Sequence, residues 1–161
     1  MYTEEELNQV RKKKLSRLRI AVLPAVLLLA AATALFVYGQ LHRSDTLWMV
    51  TAALTIVAGS WFLFLFGVYV RPLRLYQRHV ETMLHGRMRQ TTGALKSIAT
   101  QTCEKNGVEC YALMLNVGQR DDGEDDRLFY YDAHKERPNI SLGQRVTIQS
   151  NDMMVAGLTA E

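Results

Sequence analysis

Cys103 and Cys110 flank Asn106-Gly107, the strongest turn signal in the chain. A two-residue primed turn there pairs Lys105 with Val108, Glu104 with Glu109, Cys103 with Cys110 and, further out, Ile98 with Leu115. Opposed residues at a hydrogen-bonded position of an antiparallel pair lie about 5.5 Å apart in Cα, inside the disulfide range. Cys103 and Cys110 are therefore a candidate redox pair. A cytoplasmic setting keeps thiols reduced, so the expected role is structural.

Other residues capable of chemistry fall short of a reactive constellation. His79 and His85 lack the spacing of one metal-binding face and have no third ligand, so solvated imidazoles are expected and no metal site. The acidic run Asp121-Asp122-Gly123-Glu124-Asp125-Asp126 lacks the regular ligands and distal glutamate of a calcium loop, and reads as a solvated tip between two strands. Asp132, His134 and Lys135 have the types of an acid–base group, but no nucleophile, oxyanion donor or phosphate-binding glycine loop accompanies them. No catalytic residues, no cofactor and no small-molecule substrate are expected.

The elements that must carry these residues divide sharply. The 161 residues are 48% hydrophobic and 22% charged with a formal net charge of +3, but the uncharged sequence is concentrated in two blocks, Ile20 to Leu41 and Thr46 to Val70. Each meets the roughly 20 apolar residues that a bilayer-spanning helix needs. Pro24 is tolerated in such a helix, and Trp48, Tyr69 and Tyr38 stand near span ends, where amphipathic rings favour the headgroup level. A cleaved signal peptide fits less well, because Glu4, Glu5 and Glu6 precede the basic run and apolar sequence resumes after the small residues as Leu35, Phe36, Val37 and Tyr38.

Loop charge sets the expected orientation. Arg11, Lys12, Lys13, Lys14, Arg17 and Arg19 precede the first span, and Arg71, Arg74, Arg78, Arg87 and Arg89 follow the second, while the connection holds only Arg43. Both termini should be cytoplasmic, in a cell membrane. The short connection implies an antiparallel hairpin, with Ser44 placed to cap the second helix. Thr51, Thr55 and Gly59 recur every four residues as a candidate helix-packing stripe, with Ala21, Ala25, Ala30 and Ala34 as close-approach positions on the first helix. The same stripe offers a homo-oligomer contact and, through it, the weaker reading of a homo-oligomeric pore. No Asp, Glu, Lys or Arg lies inside either span, which argues against a lone transporter or channel.

Thr3-Glu4-Glu5-Glu6 reads as a capping box for a short basic amphipathic segment over 1–19, whose Arg11, Lys12, Lys13, Lys14, Arg17 and Arg19 are candidate contacts for anionic lipid. After the spans (20–41 and 46–70), Pro72 stands where a helix can end or restart. Leu73, Tyr76, Val80, Met83 and Leu84 then keep helical spacing over a juxtamembrane segment, 71–86, suited to the membrane surface, a partner or a second copy.

From residue 87 the hydrophobic period changes to two, with strands expected at Met88 to Cys103 (interrupted at Gly93), Val108 to Val117, Arg127 to Ala133, Gln144 to Ser150 and Met153 to Leu158. Five strands in 87–161 suggest a small cytoplasmic β-barrel. In the consecutive Phe129, Tyr130 and Tyr131, alternation forces one face outward, toward a partner or the preceding helix. From Thr91 onward there are 7 basic and 11 acidic residues, net −4, against 12 and 5, net +7, before it. An acidic module repels phosphate, so no nucleic acid is expected.

The closing stretch Ile140-Ser141-Leu142-Gly143-Gln144-Arg145-Val146-Thr147-Ile148 resembles the strand entry of many small OB- and SH3-like barrels. A membrane hairpin followed by such a barrel is similar in layout to the NfeD-like proteins, and the resemblance implies a barrel working with membrane scaffold partners. The expected whole is an α+β integral membrane protein: a two-helix transmembrane hairpin, a juxtamembrane amphipathic helix and a small OB/SH3-like barrel. Its expected function is that of a non-enzymatic accessory, scaffold or regulatory protein that binds membrane lipid and a protein partner or a second copy of itself. The alternative is a membrane-tethered sensor of redox state or lipid charge.

Overall fold

The computed structural model describes residues 1–118 and 123–160; Asp121 and Asp122 of the acidic run lie outside the described residues. The protein is α+β, with two long apolar helices and one five-stranded sheet. It divides into two units, Met1–Asn8 with Leu75–Glu161, and Gln9–Arg74.

Helix α1 (Glu4–His42) is continuous, so the basic segment and the apolar run form one rod with Pro24 inside it. Its first turn is capped as the sequence implies, the Glu6 amide donating to Thr3 Oγ1 at 3.2 Å. Helix α2 (Asp45–Leu65) follows Ser44, which has extended backbone but makes no side-chain cap hydrogen bond, contrary to the expectation from its position. A π turn (Phe66–Val70) then joins α2 to α3 (Arg71–His85) without a break. Pro72 does not stop the helix. Proline has no N–H to give, and the widened turn before it, with the Arg71 amide reaching the Phe66 carbonyl, absorbs the missing hydrogen bond. The helices Glu4–His42 and Asp45–His85 are each long and apolar enough to cross a membrane.

Within the helical unit, the expected close-approach positions are divided between buried and exposed. Ala21, Ala25, Ala32 and Ala58 are buried, whereas Ala30, Ala34, Thr55 and Gly59 are exposed. Thr51 and Thr55 instead return their hydroxyls to the carbonyls of Leu47 and Thr51 on their own helix. At the connection, a Cβ on Gly39 would sit 3.1 Å from Leu47 Cβ, a close approach that glycine permits.

The strands are β1 (Arg89–Lys105), β2 (Val108–Asn116), β3 (Asp126–Asp132), β4 (Arg145–Asn151) and β5 (Met154–Ala160). Each overlaps a stretch expected from alternation. Their pairings run β1-β2-β3-β5-β4 and return to β1, so the sheet closes on itself. All pairs are antiparallel except β3 with β5, which meet in parallel at Tyr130↔Met154. Asn106 and Gly107 take φ of 56° and 78°, the left-handed pair that a primed turn requires. The register holds from Lys105↔Val108 through Cys103↔Cys110 and then slips: Ile98 faces Leu113, and Leu115 faces Leu95. A bulge between Ile98 and Thr102 inserts the extra residues, and bulges of this kind let one long strand curve between two neighbours.

The inner face of the closed sheet buries Leu95, Leu113, Leu115, Phe129, Tyr131, Val146, Ile148 and Val155. A second apolar layer lies outside it, where Met83 of α3 packs with Val108, Cys110 and Met154, joined by Tyr2, Tyr76 and Tyr130. The aromatic run is thereby divided: Phe129 and Tyr131 point inward, and Tyr130 lies under α3. The buried face of α3, His79, Val80 and Met83, is thus covered by this chain's own sheet.

Candidate functional site

The chemically richest point of the β unit is the end of β3. Asp132 is fully buried, and four donors converge on its carboxylate. The amide of His134 and its ring Nδ1 donate to Oδ1 at 2.9 and 3.0 Å. The hydroxyls of Tyr2 and Tyr76 each lie 3.1 Å from Oδ2. Burial and the Asp132 charge push both phenols well above their ordinary range, so they remain protonated donors.

His79, Glu6 and Lys135 complete the cluster. His79 Nε2 lies 2.9 Å from the Tyr2 hydroxyl. With that hydroxyl proton directed to Asp132, the imidazole must donate, which makes His79 the Nε2–H tautomer. Tyr76 also reaches Glu6 Oε1 at 2.9 Å, so its single proton is shared between two carboxylates. Lys135 offsets the second of these by pairing with Glu6 Oε2, and its ammonium lies 4.7 Å from the centre of the Tyr2 ring. Among the described residues no buried side-chain polar atom lacks a hydrogen-bond partner. Three segments distant in sequence, residues 2–6, 76–79 and 132–135, are fastened to one another. A carboxylate satisfied by several donors at once is costly to disturb, because removing it strands all of them.

His79 departs from the expectation of a solvated imidazole: it is 7% exposed, and burial lowers its pKa against the opposing pull of Asp132. The unfolded chain then binds a proton that the folded one resists. Stability should be fully present above about pH 6.5 and fall as pH drops from there toward the lowered folded value. A His79→Gln variant is expected to flatten that acid slope in thermal melts; an unchanged slope would assign it to other groups. His85, by contrast, is exposed, with its Nε2 3.2 Å from Glu4 Oε1.

Of the residues singled out in the sequence, Asp132, His134 and Lys135 are brought into this cluster. Of the other members, Tyr2, Glu6, Tyr76 and His79, only Tyr76 stands on the apolar stripe of α3, where a buried hydroxyl needs a partner. Asp126, the last acid of the run between β2 and β3, is not merely solvated. It pairs with Lys96 Nζ at 2.9 Å and accepts from Asn116 Nδ2 at 3.0 Å, and the Lys96 hydrogen bond holds its carboxyl below the usual range.

Cys103 and Cys110 face each other as paired residues, both as free thiols. Cys103 is exposed, with Sγ 3.4 Å from the Cys110 carbonyl; Cys110 is buried, with Sγ 3.4 Å from the Val108 carbonyl. Burial pushes the Cys110 thiol up to about 12, which removes the thiolate that exchange chemistry needs. A maleimide probe on the folded chain should label Cys103 rapidly and Cys110 only after denaturation; equal rates would overturn this assignment.

The basic candidates lie on α1, where Arg11, Lys12, Lys13, Arg17 and Arg19 are exposed and Lys14 is half-buried. Arg17 stacks over the ring of Tyr69 at 5.5 Å.

The β unit also carries an open groove beside β5. Among the described residues, pairing between β3 and β5 is confined to Tyr130↔Met154. Beyond it, Gly157–Ala160 borders a groove shared with Tyr131, Pro138 and Ile140. Comparison of the chain with known protein families, with curated proteins and with solved structures finds no match.

Proposed function

We propose that this chain is a non-enzymatic accessory or regulatory membrane protein, spanning the bilayer twice with both termini cytoplasmic, whose β unit binds another protein. The observation that carries the reading is the β5 edge. From Val155 onward it leaves the β3 partnership and borders a groove lined by Tyr131, Ile140 and Leu158. A strand edge offers backbone donors and acceptors to an extended peptide, and a neighbouring apolar groove takes alternate side chains. The Asp132 cluster supports the same role, because it fastens residues 2–6 and 76–79 to the sheet and so braces the module that carries the edge. The closed order with one parallel pairing and a long first strand favours the OB-like over the SH3-like form of small barrel.

The test is purification of the full chain from native membranes in mild detergent, beside a form ending at Gln90 and a T159K/A160K variant that places charge on the β5 edge. One stoichiometric partner with the full chain, lost from both altered forms, is the expected result. If the full chain emerges alone, the accessory role fails; if T159K/A160K retains the partner, the β5 edge is not its seat.

A further inference from the structure

The helical unit carries its charge at one end. Six cations lie between residues 11 and 19, and Arg71 and Arg74 follow the second apolar run. Residues 9–74 contain a single acid, Asp45, which belongs to the connection at the other end of the hairpin. The stacking of Arg17 on Tyr69 sets the two helices side by side at this level. From that contact Arg11 is six residues away along α1 and Arg74 five along the other helix, or about 9 and 7.5 Å at 1.5 Å per residue. Eight cations thus occupy one band about 12 Å deep, contributed by both helices. Like charges one turn apart, such as Lys13 and Arg17, weaken a helix unless a counter-charge is supplied.

The band also falls at a chemically defined depth. The uncharged stretches between Arg19 and Arg43 and between Asp45 and Arg71 contain 23 and 25 residues, about 35 and 37 Å of helix, which exceeds the roughly 30 Å of bilayer hydrocarbon. The cations therefore begin where headgroup phosphates begin. We propose that this end of the hairpin is a binding site for the headgroup of an anionic phospholipid, held jointly by Lys12, Lys13, Arg17 and Arg19 of α1 and by Arg71 and Arg74, Arg11 and Lys14 being engaged within the chain. A topology signal needs only the basic residues as such; a site built from two helices needs both contributors. The proposal rests on the membrane-spanning reading and not on the β5 edge.

The full chain in non-ionic detergent, titrated with dioctanoyl-phosphatidylserine and separately with dioctanoyl-phosphatidylcholine, tests it. Saturable, salt-sensitive binding of the serine lipid alone is expected. R71Q/R74Q should weaken it about thirtyfold, at roughly 1 kcal/mol per lost cation. R71K/R74K should restore most of the affinity, and R43Q, at the opposite end, should leave it unchanged. Equal binding of the two lipids, an undiminished R71Q/R74Q, or displacement by inorganic phosphate at matching concentration would overturn the proposal, the last by revealing a plain anion site. Extraction of the chain from native membranes by alkaline carbonate would instead refute the spans themselves.

Discussion

Asp132→Ala is expected to lower the unfolding temperature of the β unit by more than about 10 °C. The carboxylate accepts from two tyrosine hydroxyls, a backbone amide and a ring N–H, and is fully buried. Alanine leaves all four donors facing a void, and breaking a buried charged network by removing one member costs about 3–5 kcal/mol. For a domain of this size each kcal/mol moves the midpoint by roughly 4–8 °C. Asp132→Asn should cost less, because its carbonyl oxygen can still serve the His134 amide while its NH2 opposes the tyrosines. Circular dichroism melts of the full chain in detergent read both variants. A drop of only a degree or two for Asp132→Ala would mean the cluster is not what holds residues 2–6 and α3 to the sheet.

Gly93→Ala should be comparably damaging for a steric reason. Gly93 sits in β1 opposite Val146 of β4 while the end of β2 closes in from the other side. A Cβ there would lie 2.5 Å from the Asn116 carbonyl oxygen and 3.3 Å from Val117 Cα. These are backbone atoms, so no side chain can rotate away and the sheet itself must open. Overpacking of this kind costs about 1–3 kcal/mol, and the rigid neighbours argue for the upper end. Gly157→Ala is the control, since its nearest contact, at 3.4 Å, is to the flexible side chain of Gln149. If both variants melt together, close approach at Gly93 is not a constraint on closure.

What was legible in the sequence was local. Alternation in Tyr111, Leu113 and Leu115 and in Val146 and Ile148 marks strands because each such residue lies on one face of its own strand. Asn106-Gly107 fixes a register over the few residues next to the turn. It loses Ile98 because nothing in Ala99-Thr100-Gln101 announces a bulge that depends on curvature across three strands. The two apolar runs are legible by length alone, while their seam is not. Alanines at 21, 25 and 32 are buried and those at 30 and 34 are exposed, and no composition rule separates them. The polar cluster is the least legible part, since its members are separated by as many as 130 positions and no local pattern joins them.

That separation also has a consequence in time. Tyr2 and Asp132 meet across 130 positions, and at about 5–20 residues per second the ribosome makes the second roughly 6–26 s after the first. Through that interval both apolar runs have been synthesised and are free to enter a bilayer, while residues 2–6 have nothing to hold. The clamp closes only on a chain whose third strand has emerged. Closure at Asp132 is therefore among the last contacts that synthesis permits, and a product that stops short of it lacks the clamp.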